Sequence, residues 1–280
     1  MNWDKEAEER LKRVPFFIRK RVKREVEKEA AARGDRVVMP IHLEICRKRY
    51  ISSTRDQTRG YEVELCFGAD GCPNAISDIR PLAEELKEIL EGSGLTSYLK
   101  EMVQGPLKMH HAFRVSISNC PNSCSRPQIV DFGLIATATI RVNRDEGLCT
   151  LCNLCVEVCR EDALTMDKNL LSPMIYGNRC LGCAQCARVC NTGTISVENT
   201  GFRVLIGGKL GRHPQLGFEL PGIYDHSEVK RVLQTCIDHF MANKGGKYRL
   251  GTIINKTGVD FLRLQETTNN YGGKQGKMFE

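Results

Sequence analysis

Twelve of the fourteen cysteines stand in short, spaced clips, and that spacing limits what the chain can fold around. Cys66 and Cys72 form C-x5-C, and after a long gap Cys120 and Cys124 form C-x3-C. Cys149, Cys152, Cys155 and Cys159 then form a run that Cys180, Cys183, Cys186 and Cys190 repeat with the same spacing. In a chain without a signal-like start, so many thiols argue for metal rather than disulfides. Soft thiolates select iron–sulfur clusters or zinc over harder ions. Structural zinc pairs CxxC clips roughly 12–20 residues apart, a spacing the Cys66–Cys124 set does not have. Four thiolates in two clips suit one cubane. Cys46 and Cys236 are left over. Cys236 shares a helical face with Val229, Val232, Leu233, Ile237 and Phe240, as a buried structural thiol would.

With 280 residues the chain can bury a real core and hold two or three small domains. Residues 1–60 carry 17 Lys/Arg against 10 Asp/Glu, so the whole net charge of +7 belongs to that segment. The plainer reading is a solvated basic helix, and the sharper one is a docking face for an acidic redox partner. No nucleic-acid motif accompanies the charge, and no apolar run reaches membrane-spanning length. A soluble cytoplasmic protein is expected.

The patterning predicts a helical hairpin over residues 3–33, broken near Pro15. Leu11, Val14, Phe17, Val22, Val26 and Ala30 face inward, and Gly34 is the stop. Pro40 opens a short helix through Tyr50. Tyr61–Leu65 alternates as a strand delivering Cys66, and Gly68 and Gly71 let the backbone turn closely there. A helix over Ser77–Glu91 presents Leu82, Leu86 and Leu90 on one face. Strands follow over Phe113–Ile117, which leads into Cys120, over Ile129–Val142, and over Phe202–Ile206. Asp225–Asn243 is an amphipathic helix, and Gly272–Glu280 reads as a loose tail.

The order C-x5-C, gap, Cys120-Pro121-Asn122-Ser123-Cys124 resembles the siroheme sulfite and nitrite reductases. That resemblance implies that Cys124 bridges the cubane to the siroheme iron. The run over residues 147–197 resembles the two-cluster bacterial ferredoxin, in which the fourth cysteine of each run ligates the other cluster. This implies one cubane on Cys149, Cys152, Cys155 and Cys190, and another on Cys180, Cys183, Cys186 and Cys159. The usual proline after each fourth cysteine is replaced by Arg160 and Asn191. Gly207-Gly208-Lys209 and Arg212 resemble the turn after the cluster half of siroheme reductases. Taken together, Cys66 to about Gln265 resembles the anaerobic sulfite reductase C subunit, and Thr252–Phe261 resembles its C-terminal segment. The pattern from Trp3 through Val14-Pro15-Phe16 to Val26-Glu27 resembles a small helical domain of light-independent protochlorophyllide reductase, with a docking or cluster-shielding role implied.

The expected architecture is α+β. A sulfite-reductase-like β-sheet domain with covering helices is divided between residues 53–145 and 198–280. A two-cluster ferredoxin domain is inserted at 146–197, and a helical segment precedes at 1–52. The resemblance implies reduction of sulfite or nitrite at a siroheme–cubane centre fed by two further [4Fe-4S] clusters. Cys124, Lys209 and Arg212 are the expected catalytic residues, with Asn122, Ser123, Gly207 and Gly208 also at the cofactor. Siroheme is carboxylate-rich, so Lys209 and Arg212 are its expected cations. Arg47, Lys48, Arg49, Arg55 and Arg59 are candidates for the anionic substrate, and His110 and His111 for proton donation. The implied partners are a redox donor or another reductase subunit, in a homo- or hetero-oligomer, with no nucleic acid and no membrane. In the family an additional ferredoxin-like half precedes the first clip, and here the helical segment stands in that place. A second copy or a partner subunit would then complete the pocket. The competing readings are a three-cluster electron carrier without siroheme, and a cysteine-rich zinc protein.

Overall fold

A computed structural model describes residues 1–57, 59–145 and 148–262, with the side chains of 50–57 outside that description. The expected tail at 272–280 and the Arg55 side chain therefore lie outside the described residues. The chain divides into two compact units, Met1–Thr58 with Gln104–Lys108, and Arg59–Val103 with Met109–Glu280. Among the described residues no helix is long and apolar enough to cross a membrane.

The first unit holds β1 (Asn2–Trp3), α1 (Lys5–Lys12), α2 (Phe16–Ala32), β2 (Val37–Val38) and α3 (Pro40–Gln57). Asp4 caps α1 by accepting from the Glu6 and Ala7 amides. Pro15 breaks the hairpin as expected, and Arg19 donates to the Lys12 and Val14 carbonyls that α1 leaves unpaired. Gly34 takes the left-handed backbone (φ +79°) that ends α2. Ala7, Val26, Ala30 and Val38 form the core, with Trp3, Val22, Leu43 and Cys46 against it. Two expectations change. Phe17 is 74% exposed, packed edge-on against Phe16 rather than inward. The third helix runs to Gln57, past Tyr50. The short parallel pairing of β1 with β2 was not visible in the sequence, because two-residue strands leave no periodicity.

The second unit is built on a five-stranded sheet ordered β3-β4-β5-β8-β9: β3 (Tyr61–Leu65), β4 (Phe113–Ser118), β5 (Phe132–Val142), β8 (Ile195–Ile206) and β9 (Phe218–Glu219). β3, β4 and β5 are parallel, and β8 and β9 are antiparallel to their neighbours. Side chains alternate across a strand. The register therefore puts Val63, Val115, Phe132 and Ile206 in one row, and Leu65, Ile117, Leu134 and Val204 in the next, on one face. That face packs on α4 (Arg80–Gly92) and α8 (His226–Ala242), with α5 (Leu95–Met102) against both helices and α9 (Leu250–Thr257) against α8. Leu82, Leu86 and Leu90 of α4 are fully buried, and Phe113 meets Phe240 of α8 edge-on at 5.4 Å. Each such side chain contributes about 1.5–3 kcal/mol by leaving water. An Asp225–Glu228 capping box starts α8, and Cys236 is buried on it as expected. The opposite face carries Glu62–Arg114 and Arg203–Glu219 ion pairs across neighbouring strands, beside buried Ile135 and Leu205.

Two strand boundaries differ from expectation. β5 begins at Phe132, because Pro127–Ile129 forms a turn of 3₁₀ helix. β8 begins at Ile195, so residues 195–206 are one strand paired with the whole of β5, from Phe132↔Ile206 to Val142↔Ile195. The boundary expected at 197/198 falls inside it. Between the two strands of this long ribbon come α6 (Leu154–Glu157), β6 (Leu164–Asp167), β7 (Ser172–Ile175) and α7 (Gln185–Val189), with β6 and β7 antiparallel.

Candidate metal centres

The two clips of the first set meet at the ends of β3 and β4. Cys66 follows β3, and its Sγ accepts the amides of Gly68 (3.3 Å) and Asn119 (3.1 Å). A Cβ on Gly68 would lie 2.7 Å from the Asn119 Cβ, so only glycine lets the two clips close this far. Asn119 is buried and laces them. Its side chain accepts the Ser77 amide (3.1 Å) and donates to the Gly68 carbonyl (3.4 Å), while its own carbonyl accepts the Ile76 amide (3.0 Å). α4 begins at Arg80 rather than Ser77, whose amide is taken up by Asn119. Asn119 was not singled out from sequence, although its place directly before Cys120 was the available signal.

The Cys120–Cys124 clip is wound by left-handed Ser123 (φ +55°) and Arg126 (φ +57°). It is pinned from below by a buried serine cluster: Ser116 donates to the Ser125 carbonyl (2.6 Å), and the Ser118 and Ser125 hydroxyls are bonded at 2.7 Å. Burial pushes the Cys120 thiol up, and the neighbouring sulfurs of Cys124, Cys66 and Cys72 add to that, while the Asn122 amide opposes it. The sulfurs of Cys66, Cys72 and Cys124 thus all lie near enough to act on Cys120. Cys66 and Cys120 are buried, Cys72 is half-buried and Cys124 is exposed. The Ser123 hydroxyl donates to the Pro121 carbonyl (3.1 Å).

The glycine turn after β8 lies against the segment leaving Cys124. Gly207 donates to the Asp131 carbonyl (2.8 Å) and Gly217 to the Gln128 carbonyl (2.7 Å). A Cβ on Gly208 would meet the Gln128 carbonyl oxygen at 2.3 Å. Lys209 donates to the Thr252 hydroxyl (2.7 Å), and Arg212 is exposed. Arg126, two positions after Cys124, is exposed and pairs with Glu64 (3.1 Å). Arg126 was not anticipated, and Lys209 and Arg212 stand on the glycine turn that contacts Gln128 in the segment after it. Asp131 is fully buried. It accepts from the Arg249 guanidinium and from the amides of Arg114 and Leu250. Burial pushes its carboxyl up, and Arg249 opposes that. Arg59 sits at the end of β3 remote from Cys66, paired with Glu91 (3.2 Å), and Arg49 pairs with Glu29 (2.8 Å) inside the first unit. His110 and His111 are stacked edge-on at 4.1 Å, and the His110 carbonyl accepts from Arg249.

The two repeated runs sit side by side over a shared core. Cys149, Cys152, Cys155 and Cys190 line one cavity of about 100 Å³, closed by Met166, Pro173 and Ile195 among others. Burial pushes Cys155 up, with Cys190 and Cys149 adding to it. Burial likewise pushes Cys186 up to about 12, and its neighbouring sulfurs are Cys180, Cys183 and Cys159. The fourth cysteine of each run thus lies with the first three of the other. Backbone amides donate to these crossing sulfurs, Ala163 to Cys159 and Ile195 to Cys190, each at 3.3 Å. Among the described residues no three His, Cys, Asp or Glu side chains converge as tightly as the ligands of a single ion. A cubane is gripped at its corners, and the arrangement of a lined cavity with sulfurs around its wall suits that larger group.

Residues 58–272 match the family model for the nitrite and sulphite reductase 4Fe-4S domain, and residues 3–47 match that for the proto-chlorophyllide reductase 57 kD subunit. The chain is 26% identical over 232 residues to an uncharacterized protein of Methanocaldococcus jannaschii, spanning 81% of this chain and 74% of that one. It is 32% identical over 195 residues to the coenzyme F420-dependent sulfite reductase of the same organism, spanning 69% of this chain and 28% of that one. A crystal structure of dissimilatory sulfite reductase I has the same fold over 78% of this chain and 56% of that one, with a TM-score of 0.52 and 17% identity. The chain thus spans under a third of the named curated relative and about half of that crystal chain.

Proposed function

Because the chain belongs to the nitrite and sulphite reductase 4Fe-4S family, we propose that it reduces sulfite or nitrite at a siroheme–[4Fe-4S] centre held by Cys66, Cys72, Cys120 and Cys124. The observation that carries this reading is the closure of the two clips, with the Asn119 amide bonded to the Cys66 sulfur and Cys66, Cys72 and Cys124 near Cys120, and Cys124 alone of the four exposed. Cys66, Cys72, Cys120 and Cys124 would hold the cubane, and Cys124, the exposed one, would be the thiol accessible to siroheme. When bound, siroheme supplies the iron on which the oxyanion is reduced.

The chain's own residues do the rest. The Gly68 and Asn119 amides at Cys66 withdraw charge from the sulfur, which favours the reduced cluster. Arg126, Lys209 and Arg212 supply cations for the carboxylates of the macrocycle and for an anionic substrate. Asp131 and Arg249 tie β4, β5 and α9 together, and so fix the loops that bear those cations. Cys149, Cys152, Cys155 with Cys190, and Cys180, Cys183, Cys186 with Cys159, would hold two further cubanes, which would supply electron storage for a multi-electron reduction. The oxidoreductase acts as a subunit: a redox donor feeds it, and a second copy or a partner subunit completes the substrate pocket. The basic first unit is suited to an acidic protein partner.

Iron, sulfide and siroheme quantitation on one anaerobic sample, with its visible spectrum and its sulfite-dependent oxidation of a reduced viologen, tests this. Three clusters, one siroheme and turnover are expected. Intact clusters without the siroheme band would leave the electron-carrier reading in its place. Zinc with little iron would end both. A monomer with full siroheme and full activity would end the completed-pocket idea.

A further inference from the structure

The second cysteine run is latched to the loop that carries Cys72. In α7, the helix that bears Cys186, Gln185 donates to the Asn74 side chain at 2.9 Å. From the same helix the Arg188 guanidinium donates to two carbonyls of that loop, Nη1 to Pro73 and Nη2 to Ala75. The loop is itself closed by the Ala75 amide on the Cys72 carbonyl (3.0 Å), and Ile76 packs into the core beneath the runs. The other flank of the second run is bonded to β5: the Ala138 amide donates to the Gly182 carbonyl (2.8 Å) and the Thr137 hydroxyl to the Leu181 carbonyl (3.1 Å). Among the described residues no hydrogen bond joins 149–159 to the loop at 66–76. In that run Cys152 is exposed, and so are Leu151 and Leu154.

We propose that this latch makes the Cys180/Cys183/Cys186/Cys159 cluster the inner one, the immediate electron donor to the Cys66/Cys72/Cys120/Cys124 centre. The Cys149/Cys152/Cys155/Cys190 cluster is the outer one. The inference rests on the three-cubane reading above. One electron passes at a time from the reduced inner cluster to the oxidised bridged centre. No bond forms or breaks, no proton moves, and an external low-potential one-electron donor resupplies the outer cluster. Arg188 and Gln185 are positioning residues. They touch no substrate, and they hold two ligand-bearing elements at a fixed separation, which is what transfer between clusters depends on.

The test uses the full chain, prepared anaerobically, with the variants Arg188→Gln and Gln185→Ala. Dithionite-reduced samples are compared by electron paramagnetic resonance for spin–spin broadening between clusters. Pre-reduced samples are then mixed with sulfite, and reoxidation of the two ferredoxin clusters is followed in a single turnover. Both variants are expected to keep wild-type iron and sulfide, to lose much of the broadening between the second-run cluster and the bridged centre, and to reoxidise several-fold more slowly. If Arg188→Gln sheds its iron, Gln185→Ala decides. Full clusters with unchanged broadening and rate would overturn the wiring alone. Iron and sulfide short of three clusters in the wild-type protein would overturn this inference together with the reading it rests on.

Discussion

The two cysteine runs have the same spacing and the same backbone, yet they are built into the molecule differently. In each, the third residue of the first clip is left-handed, Leu151 at φ +56° and Gly182 at φ +68°, and so is the residue after the second cysteine, Asn153 at φ +65° and Ala184 at φ +61°. A backbone that wraps its amides around a cluster demands those turns twice. What packs on the turn then chooses the residue. A Cβ on Gly182 would meet the Thr137 Oγ1 at 2.2 Å and the Ala138 carbonyl oxygen at 2.6 Å. Leu151 is 44% exposed and keeps its side chain despite the strain, which costs about 1–2 kcal/mol. The second run is bolted to the sheet, and the first is displayed on the surface.

Four experiments press on that contrast. The largest effect is expected from removing the crossing ligands. Cys159→Ala should deplete the second-run cluster, and Cys190→Ala the first-run cluster, each seen as loss of one cluster's iron and its resonance signal. Depletion of the cluster of the mutated run itself would break the crossed pairing. Next, Gly182→Ala should destabilise the protein by about 3 kcal/mol, from overpacking against β5 plus the left-handed backbone, read as a lower guanidinium midpoint. An unchanged midpoint would mean that this clip is not seated on Thr137.

The third experiment strips the iron with a chelator and follows alkylation by mass spectrometry at mildly alkaline pH. Burial pushes Cys190 up, but the Ile195 amide and the Thr192 hydroxyl and amide more than offset it and hold the thiol below its usual value. Cys186 is pushed up to about 12 by burial and by the sulfurs of Cys180 and Cys183. As pH rises, Cys190 therefore becomes the nucleophilic thiolate first and is labelled first. Equal labelling would show that the two sites do not differ in field. The smallest effect belongs to Leu151→Gly. Relief of the left-handed strain is partly cancelled by the greater freedom of glycine in the unfolded chain, leaving a gain of under about 1 kcal/mol in the same unfolding assay. A clear loss would mean that the Leu151 side chain packs on something.

Much of the architecture was readable along the chain because it is local. Alternation marked β3 and β4, helical spacing marked α4 and α8, and Pro15 with Gly34 framed the N-terminal hairpin. The extent of β8 was not readable, since Glu198, Asn199 and Thr200 are exposed and polar and look like a loop until β5 is seen beside them. Phe17 fits the helical period inward, but it is exposed, edge-on against Phe16.

The cysteine clips and their spacing were legible in the sequence by itself, because a clip is a property of a few neighbouring residues. What converges on the clips was decided only by tertiary structure. Asp131 and Arg249 are 118 positions apart, Asn74 and Gln185 are 111 apart, and Arg126 and Glu64 are 62 apart. No periodicity or spacing records such pairings. They exist because a buried carboxylate must find a cation and a loop carbonyl must find a donor, and the fold determines which ones are within reach.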